Sequence, residues 1–258
     1  MTSNARKMVS IPRSVVRIGL TGDEADRLAR ELAEMEESLH EPGLGGFNAF
    51  DLDAAIARRR EWLTAAMPAH DVEVGPFEID VTPVTNAQWA RYMAEAGAGA
   101  PEVGVGRERD FVTGVSRHEA QAYAHNERLD LPTEAEWEAA ARRGRSFFTW
   151  GDAYFPQGEI AFRPPVREPY PVGSRPELVS ARGVHDLLGQ FGEYCWNPFE
   201  PYPGTDPAWW RAHFPDAAGQ RTVRGGYDVN QDATCVSRRG VPPTERRTHI
   251  KFRCVRRA

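Results

Sequence analysis

Helical periodicity disappears after Gly144, just past the middle of a chain of 258 residues, and this limits the possible fold classes. Before that glycine, apolar residues recur at helical spacing in several segments. From 147 to 258 the chain is interrupted by glycine and proline, yet it is rich in Trp, Phe and Tyr, so disorder is not expected. Such a region needs buried aromatic side chains, arginine pairs or bound ions to hold it together. We therefore predict an α+β fold with little regular secondary structure.

Three segments of the first half begin with a capping box, in which a Ser or Thr and a Glu or Gln three residues later cap each other's backbone N–H groups. The three pairs are Thr85 with Gln88, Ser116 with Glu119, and Thr133 with Glu136. Each pair predicts the start of a helix. In the third helix, Trp137, Ala140 and Ala141 share one face, which we expect to be buried. Gly144 is a natural residue to end this segment.

The first 69 residues predict a strand and a helical hairpin, fused to a main domain that spans 70–258. The segment Met8–Leu20 indicates a strand broken by a turn at Pro12. The apolar positions of the first helix are Leu28, Leu32, Met35 and Leu39. A second helix should begin at Asp51, with Arg58, Arg59 and Arg60 across its outer side. We expect the apolar stripe of the hairpin to pack on the main body; a protein partner or a second copy of the chain is the alternative.

Short strands are predicted in the rest of the chain. Val72–Val81 alternates apolar and acidic residues, with a turn or bulge at Gly75 and Pro76. Further short strands are expected at Tyr194–Trp196, Thr222–Arg224 and Phe252–Val255. Together with the helices of the first half, they support the mixed α+β prediction.

The composition excludes several function classes. A net charge of −5 and a pI near 5.9 do not indicate a dedicated nucleic-acid binder. The last forty residues are basic, but their arginines are spread among Gly and Pro and should serve salt bridges and solubility. No apolar run reaches the ~20 residues that a membrane span requires, and we expect a cytoplasmic protein. Three cysteines are too few for a disulfide framework.

Successive sequence blocks resemble the formylglycine-generating enzyme (sulfatase-modifying factor) superfamily. The blocks are Phe77–Asp80 with Val84–Trp89, Gly114–Ser116 with Ala120–Tyr123, Leu131–Glu138, Pro171–Ser174, Gly183–Leu187 with Gly189–Tyr194, and Val223–Gly226 with Phe252–Cys254. The resemblance covers roughly residues 70–258 in the order found in the family, with Met8–Leu20 as a further match. It implies a modified C-type-lectin-like fold, to which the N-terminal helices add an insertion.

The resemblance implies more than one activity. The superfamily includes copper-dependent oxidases that convert a sulfatase cysteine to formylglycine, domains of iron-dependent sulfoxide synthases, other biosynthetic oxidoreductases, and ligand-binding variable proteins. We expect a metal-binding oxidoreductase that uses O2 to oxidise a thiol or a small polar metabolite, with a small molecule or a peptide as substrate. A non-catalytic, lectin-like domain that binds a ligand or a protein is the alternative.

The copper site of the family is incomplete in this sequence. In the oxidases, two cysteines five residues apart follow the Arg-Gly-Gly block, and two thiolates suit Cu(I). Counting from Gly226, the second falls on Cys235 and the first on Asn230. We therefore do not expect authentic sulfatase activation. Cys235 is the candidate catalytic residue and metal ligand, with a purely structural role as a buried cysteine as the alternative.

The remaining site predictions also follow from the resemblance. The ligand surface of the family surrounds the Gly-Gly block, and its candidate substrate-binding residues here are Tyr227, Asp228, Asn230, Arg238 and Trp196. Gln190 and Glu193 stand where the family often binds structural calcium, so calcium is a candidate cofactor beside copper or iron. The three-histidine iron site of the sulfoxide synthases belongs to an additional helical domain. Residues 1–69 contain only His40 and His70, and that site is not evident.

Overall fold

The computed structural model describes residues 6–38, 50–97, 107–153, 168–226 and 234–257. Its α-helices in these ranges are α1 (Gly22–Ser38), α2 (Leu52–Leu63), α3 (Asn86–Glu95), α4 (Arg117–Asn126), α5 (Glu134–Ala141) and α6 (Pro207–His213). Its strands there are β1 (Met8–Ile11), β2 (Ser14–Ile18), β3 (His70–Val74), β4 (Phe77–Asp80), β5 (Gly192–Pro198), β6 (Arg221–Arg224), β7 (Arg238–Val241), β8 (Ile250–Lys251) and β9 (Val255–Arg257). None of the described helices is both long and apolar enough to cross a membrane.

The strands form three small sheets. β1, β4 and β9 make an antiparallel sheet, and β2 pairs with β3 in an antiparallel ribbon. The third sheet has the order β7-β6-β5-β8, in which β8 runs parallel to β5. Because β1 and β2 pair with strands beyond residue 70, the N-terminal segment is built into the main body. The boundary at residue 70 itself stays a prediction.

The three capping boxes are confirmed. At α5, the hydroxyl of Thr133 accepts from the N–H of Glu136 at 3.1 Å, and the carboxylate of Glu136 accepts from the N–H of Thr133 at 2.7 Å. Matching reciprocal bonds start α3 and α4. Trp137 is completely buried, and Gly144 takes the left-handed conformation with φ of 62°. Local polar pairing therefore sets where these helices begin.

The helical hairpin packs on the main body, as expected. Leu28, Leu32 and Met35 of α1 are buried in the same apolar cluster as Trp137. The predicted outward position of Arg59 is wrong: this residue is buried, and its Nη1 lies 2.7 Å from the carboxylate of Glu36 on α1. The two helices are thus held together by an ion pair as well as by apolar contacts.

The strand predicted at Phe252–Val255 is also displaced. β8 ends at Lys251 and β9 begins at Val255, while the residues between them cross from one sheet to another. In this crossing, Phe252 accepts from the N–H of Val84 at 2.9 Å, and Cys254 accepts from that of Asp80 at 2.9 Å. The Arg253 side chain in this crossing is completely buried.

Candidate functional site

The two glycines after β6 sit where the chain passes very close to its neighbours. Gly225 has φ of +89°, and a Cβ there would meet the indole of Trp137 at 2.8 Å. A Cβ on Gly226 would overlap the carbonyl oxygen of Gly189. Only glycine fits both positions. The chain that leaves β6 is therefore fixed by α5 and by the turn at residue 189.

A buried ionic cluster lies directly beside these glycines, and we call it the Arg224 cluster. Its members are Glu134, Glu138, Arg142, Arg224 and Arg238, all of them buried. Arg224 donates to Glu134 at 3.1 Å and to Glu138 at 2.5 Å. Arg238 forms two parallel bonds to Glu134, of 2.8 and 2.7 Å, a geometry that gives strong and directional pairing.

The charges of the cluster stabilise each other in the interior. Burial alone would raise the pKa of Glu134, but Arg238 and Arg224 outweigh it, and the pKa falls below its ordinary value. Arg224 also donates to the backbone carbonyl of Cys235 at 2.7 Å. Arg224 precedes the segment 227–233 and Arg238 follows it. The cluster therefore anchors both ends of the segment that carries several predicted site residues.

Cys235 lies next to this cluster, where its carbonyl accepts from Arg224, and it is completely buried. Its N–H donates to the carbonyl of Phe147 at 2.8 Å. Burial raises the pKa of the thiol far above its ordinary value, which disfavours the thiolate that a metal or a nucleophilic reaction needs. The described residues contain no group of three or more His, Cys, Asp or Glu side chains placed to hold a metal. In this part of the chain, the side chains therefore form no metal site with three or more such ligands.

Glu193, a predicted calcium ligand, belongs to a second buried ionic cluster. Both carboxylate oxygens of Glu193 accept from Arg253, each at 2.7 Å, and the indole N–H of Trp137 adds a bond of 2.8 Å. The ammonium of Lys251 donates to the carbonyl of Phe191 at 2.7 Å and lies 3.7 Å from Glu193. These cations already satisfy the carboxylate. These contacts disfavour calcium at Glu193, and the calcium site at Gln190 and Glu193 stays a prediction.

Of the predicted substrate-binding residues, Tyr227, Asp228 and Asn230 lie outside the described residues. Arg238 has a buried guanidinium that is paired with Glu134, and it also lines the groove described below; its role in substrate binding stays a prediction. Trp196 is 46% exposed and is open to a ligand. The structure therefore does not bring Trp196 and Arg238 together as one exposed surface.

The structure adds a groove that the sequence did not indicate. Its volume is about 400 Å³. Its walls include Ile18, His70, Asn197, Glu200 and Tyr202. The rings of His70 and Tyr202 meet edge to face with centroids 4.5 Å apart. No local signal could have revealed it, because β3 and the chain after β5 are distant in sequence and meet only in the fold.

Solved structures with a similar fold confirm the predicted architecture. PvdO from Pseudomonas aeruginosa has a TM-score of 0.63 at 20% identity, over 99% of this chain and 96% of that chain. Treponema denticola variable protein 1 has a TM-score of 0.62 at 17% identity, over 97% of this chain and 95% of the other. At these identities the likeness establishes the fold alone.

Sequence similarity identifies the family. Hercynine oxygenase of Mycolicibacterium thermoresistibile is 31% identical over an alignment of 234 positions, which covers 72% of this chain and 52% of that protein. The hercynine oxygenase of Mycobacterium tuberculosis is 32% identical over an alignment of 204 positions, which covers 62% of this chain and 47% of the relative. The chain thus spans about half the length of these relatives. Formylglycine-generating enzyme of Streptomyces coelicolor is 27% identical over an alignment of 260 positions, which covers 73% of this chain and 80% of that enzyme.

The strongest assignment comes from the sequence model of a whole domain. The sulfatase-modifying factor enzyme 1-like domain matches residues 43–258. This range contains the capping-box helices, the Gly-Gly turn and both buried ionic clusters. The chain therefore belongs to the sulfatase-modifying factor family, the family of the formylglycine-generating enzymes.

Proposed function

We propose that this chain acts in an O2- and metal-dependent oxidation of a thiol or a small polar metabolite. The observation that carries the proposal is an identity of 31–32% to three hercynine oxygenases. We further propose that it does not activate sulfatases through two thiolates, because Asn230 stands where the first cysteine of that copper site would be.

The proposal assigns different tasks to different parts of the chain. The metal, iron or copper, would be held at least in part by residues outside the described ranges, because Cys235 is buried and the described residues contain no group of three or more metal-binding side chains. The substrate would meet the segment that carries Tyr227, Asp228 and Asn230. The Arg224 cluster supports this role, since it fixes the chain on both sides of that segment through Arg224 and Arg238. A rigid frame of this kind reduces the cost of orienting a bound substrate.

Oxygen consumption by the purified full chain tests the proposal. The protein would be supplied with iron(II) or copper(I), and then with hercynine and cysteine or with a cysteine-containing sulfatase peptide. We expect O2 uptake with hercynine and cysteine, and no formylglycine in the peptide. Asp228→Ala should reduce the uptake by about tenfold or more, whereas the exposed Asp152→Ala should not change it. No uptake under any combination, in protein with an intact thermal transition, would contradict the proposal.

A non-catalytic, lectin-like binding role is the second candidate. It is favoured by the absence of a metal-ligand group from the described residues. In this role the chain would bind a ligand or a protein, and a partner or second copy could dock on the N-terminal helices. Light scattering of the chain, alone and after an Arg58→Glu change on the exposed side of α2, tests docking through that face. A monomer in both cases excludes self-association there.

A further inference from the structure

Trp196 projects from an irregular point in the sheet. The pairing between β5 and β6 shifts between Tyr194 and Pro198, and Trp196 lies within this interruption. Its N–H donates to the carbonyl of Pro132 at 2.8 Å, and its own carbonyl accepts from Arg117 at 3.2 Å. Strand bulges commonly redirect a side chain. Here a fixed backbone presents an exposed indole, and Trp196 and Val15 are the exposed large apolar side chains of the described residues.

Arg117, which donates to the backbone carbonyl of Trp196, is a buried cation with no ion-pair partner among the described residues. It is 7% exposed, and its Nε has no hydrogen-bond partner. Within the described ranges, no carboxylate lies within ion-pair distance of its guanidinium. Burial lowers its pKa, and the neighbouring charge of Arg221 adds to this effect. A buried guanidinium is costly unless it is paired.

Asp130, the acid that favours the charged form of Arg117, already accepts hydrogen bonds from other groups. Asp130 raises the pKa of Arg117. However, its carboxylate accepts from Arg257 and from the N–H of Leu131, at 2.7 and 2.8 Å, and also from Gln121. It therefore does not neutralise Arg117 directly.

Arg221 adds a second positive charge at the same place. It begins β6, opposite Pro198, and is half-buried. In the described part of the chain, it also has no carboxylate within ion-pair distance. The buried Arg224 and Arg238 of the same sheet are both paired with Glu134. Arg117 and Arg221 thus differ from the paired arginines of this sheet, and both lie near the β5 backbone around Trp196.

We propose that Arg117, Arg221 and Trp196 form a binding site for a small molecule that carries an oxyanion, either a carboxylate or a phosphate. The two guanidiniums supply donors with the geometry that oxyanions require. The indole supplies a flat apolar surface for a ring attached to the anion. This site does not depend on the proposed oxidation, since it uses neither Cys235 nor the segment 227–233.

Calorimetric titration of the full chain with simple probes tests the site. Benzoate and phenyl phosphate carry the two oxyanions on a ring, benzamide is the neutral match for benzoate, and inorganic phosphate lacks the ring. We expect at least one ring-bearing anion to bind about tenfold or more tightly than benzamide, which corresponds to one charge-assisted bond. Whichever anion binds more tightly identifies the source. Inorganic phosphate should bind more weakly than phenyl phosphate.

Three substitutions assign the binding to these residues. Arg117→Met should abolish anion binding, and Arg221→Gln should weaken it by about fivefold or more. Trp196→Ala should weaken binding of the ring-bearing anions but not of inorganic phosphate. Arg211→Gln, an exposed arginine on α6, is the matched control and should leave all affinities unchanged.

The proposal is overturned if the wild-type chain prefers neither anion over benzamide, or if Arg221→Gln binds them as the wild type does. Because Arg221 is half-buried, its variant gives an answer even if Arg117→Met fails to fold.

Discussion

At the scale of single residues, Trp137 lies between the two buried ionic clusters. Its ring faces the guanidinium of Arg224, 5.4 Å from the ring centre, and its N–H donates to Glu193. The pKa of Glu193 is set by opposing effects: burial raises it, but Arg253 and Lys251 lower it below its ordinary value. These charges are tolerated inside the protein because each has a nearby partner.

Glu193→Gln should therefore be strongly destabilising. It would leave Arg253 and Lys251 buried without a full counter-charge, and we expect a loss of about 3–5 kcal/mol in the free energy of unfolding. Glu78→Gln is the matched control, because Glu78 pairs with Arg256 at 2.8 Å on the surface. That exposed pair should cost less than about 1 kcal/mol. Chemical denaturation of both variants measures the difference, and equal losses would contradict the argument.

Asp80 should give stability a distinct pH dependence. Burial raises the pKa of this carboxyl from 3.8 to about 6, despite Arg6 nearby. Between these values the folded protein binds the proton more strongly than the unfolded chain does, so the folded state gains stability as the pH falls through this window. Relative to Asp80→Asn, the wild type should gain up to about 3 kcal/mol between pH 7 and 4. Parallel stability curves for the two proteins would show that Asp80 does not titrate this way.

At the scale of elements, the helix starts depend on neighbouring residues, whereas the buried ion pairs depend on residues far apart in the sequence. The starts of α3, α4 and α5 could be predicted, because each capping box lies within four consecutive residues. The glycine turn after β6 could be recognised, but its tight contact with Trp137 could not. The partnership of Glu193 with Arg253 spans 60 residues and is decided by tertiary packing. For the same reason, the family resemblance that made Glu193 a candidate calcium ligand did not reveal its pairing with Arg253.

The turn that leads into β5 should consequently be independent of calcium. Lys251 is buried against Phe191 and Glu193, where it supplies the positive charge. Adding calcium or EDTA should leave the thermal transition of the wild type unchanged within about 1 °C, since a ligand that does not bind the folded state cannot stabilise it. A clear upward shift with calcium, reversed by EDTA, would mean that a calcium site exists despite these contacts.

At the scale of the whole molecule, the N-terminal segment completes the core. α1 covers the same apolar cluster that contains Trp137, and β1 and β2 complete sheets formed by later strands. The hydrophobic pattern of the hairpin could be predicted from sequence. Its partner could not, because a body-facing stripe and a dimer-facing stripe have the same spacing.

Leu32→Ala tests this integration. Leu32 is completely buried, and its truncation should lower the free energy of unfolding by about 2–5 kcal/mol. Val15→Ala, at a side chain that is 67% exposed, should change it by less than about 0.5 kcal/mol. A single cooperative transition is expected for both variants. A separate early transition in Leu32→Ala would instead mean that the N-terminal segment unfolds on its own.

Titration with Cu(I) against a competing chelator, combined with X-ray absorption at the copper edge, shows whether the chain holds a two-thiolate copper site. Asn230 stands at one cysteine position and Cys235 is buried, so a two-thiolate copper site is not expected. We expect the wild type and Cys235→Ala to bind Cu(I) with equal affinity and without a pair of sulfur ligands. Tight binding of one copper ion, with two sulfur ligands from a single chain and loss of binding in Cys235→Ala, would contradict it.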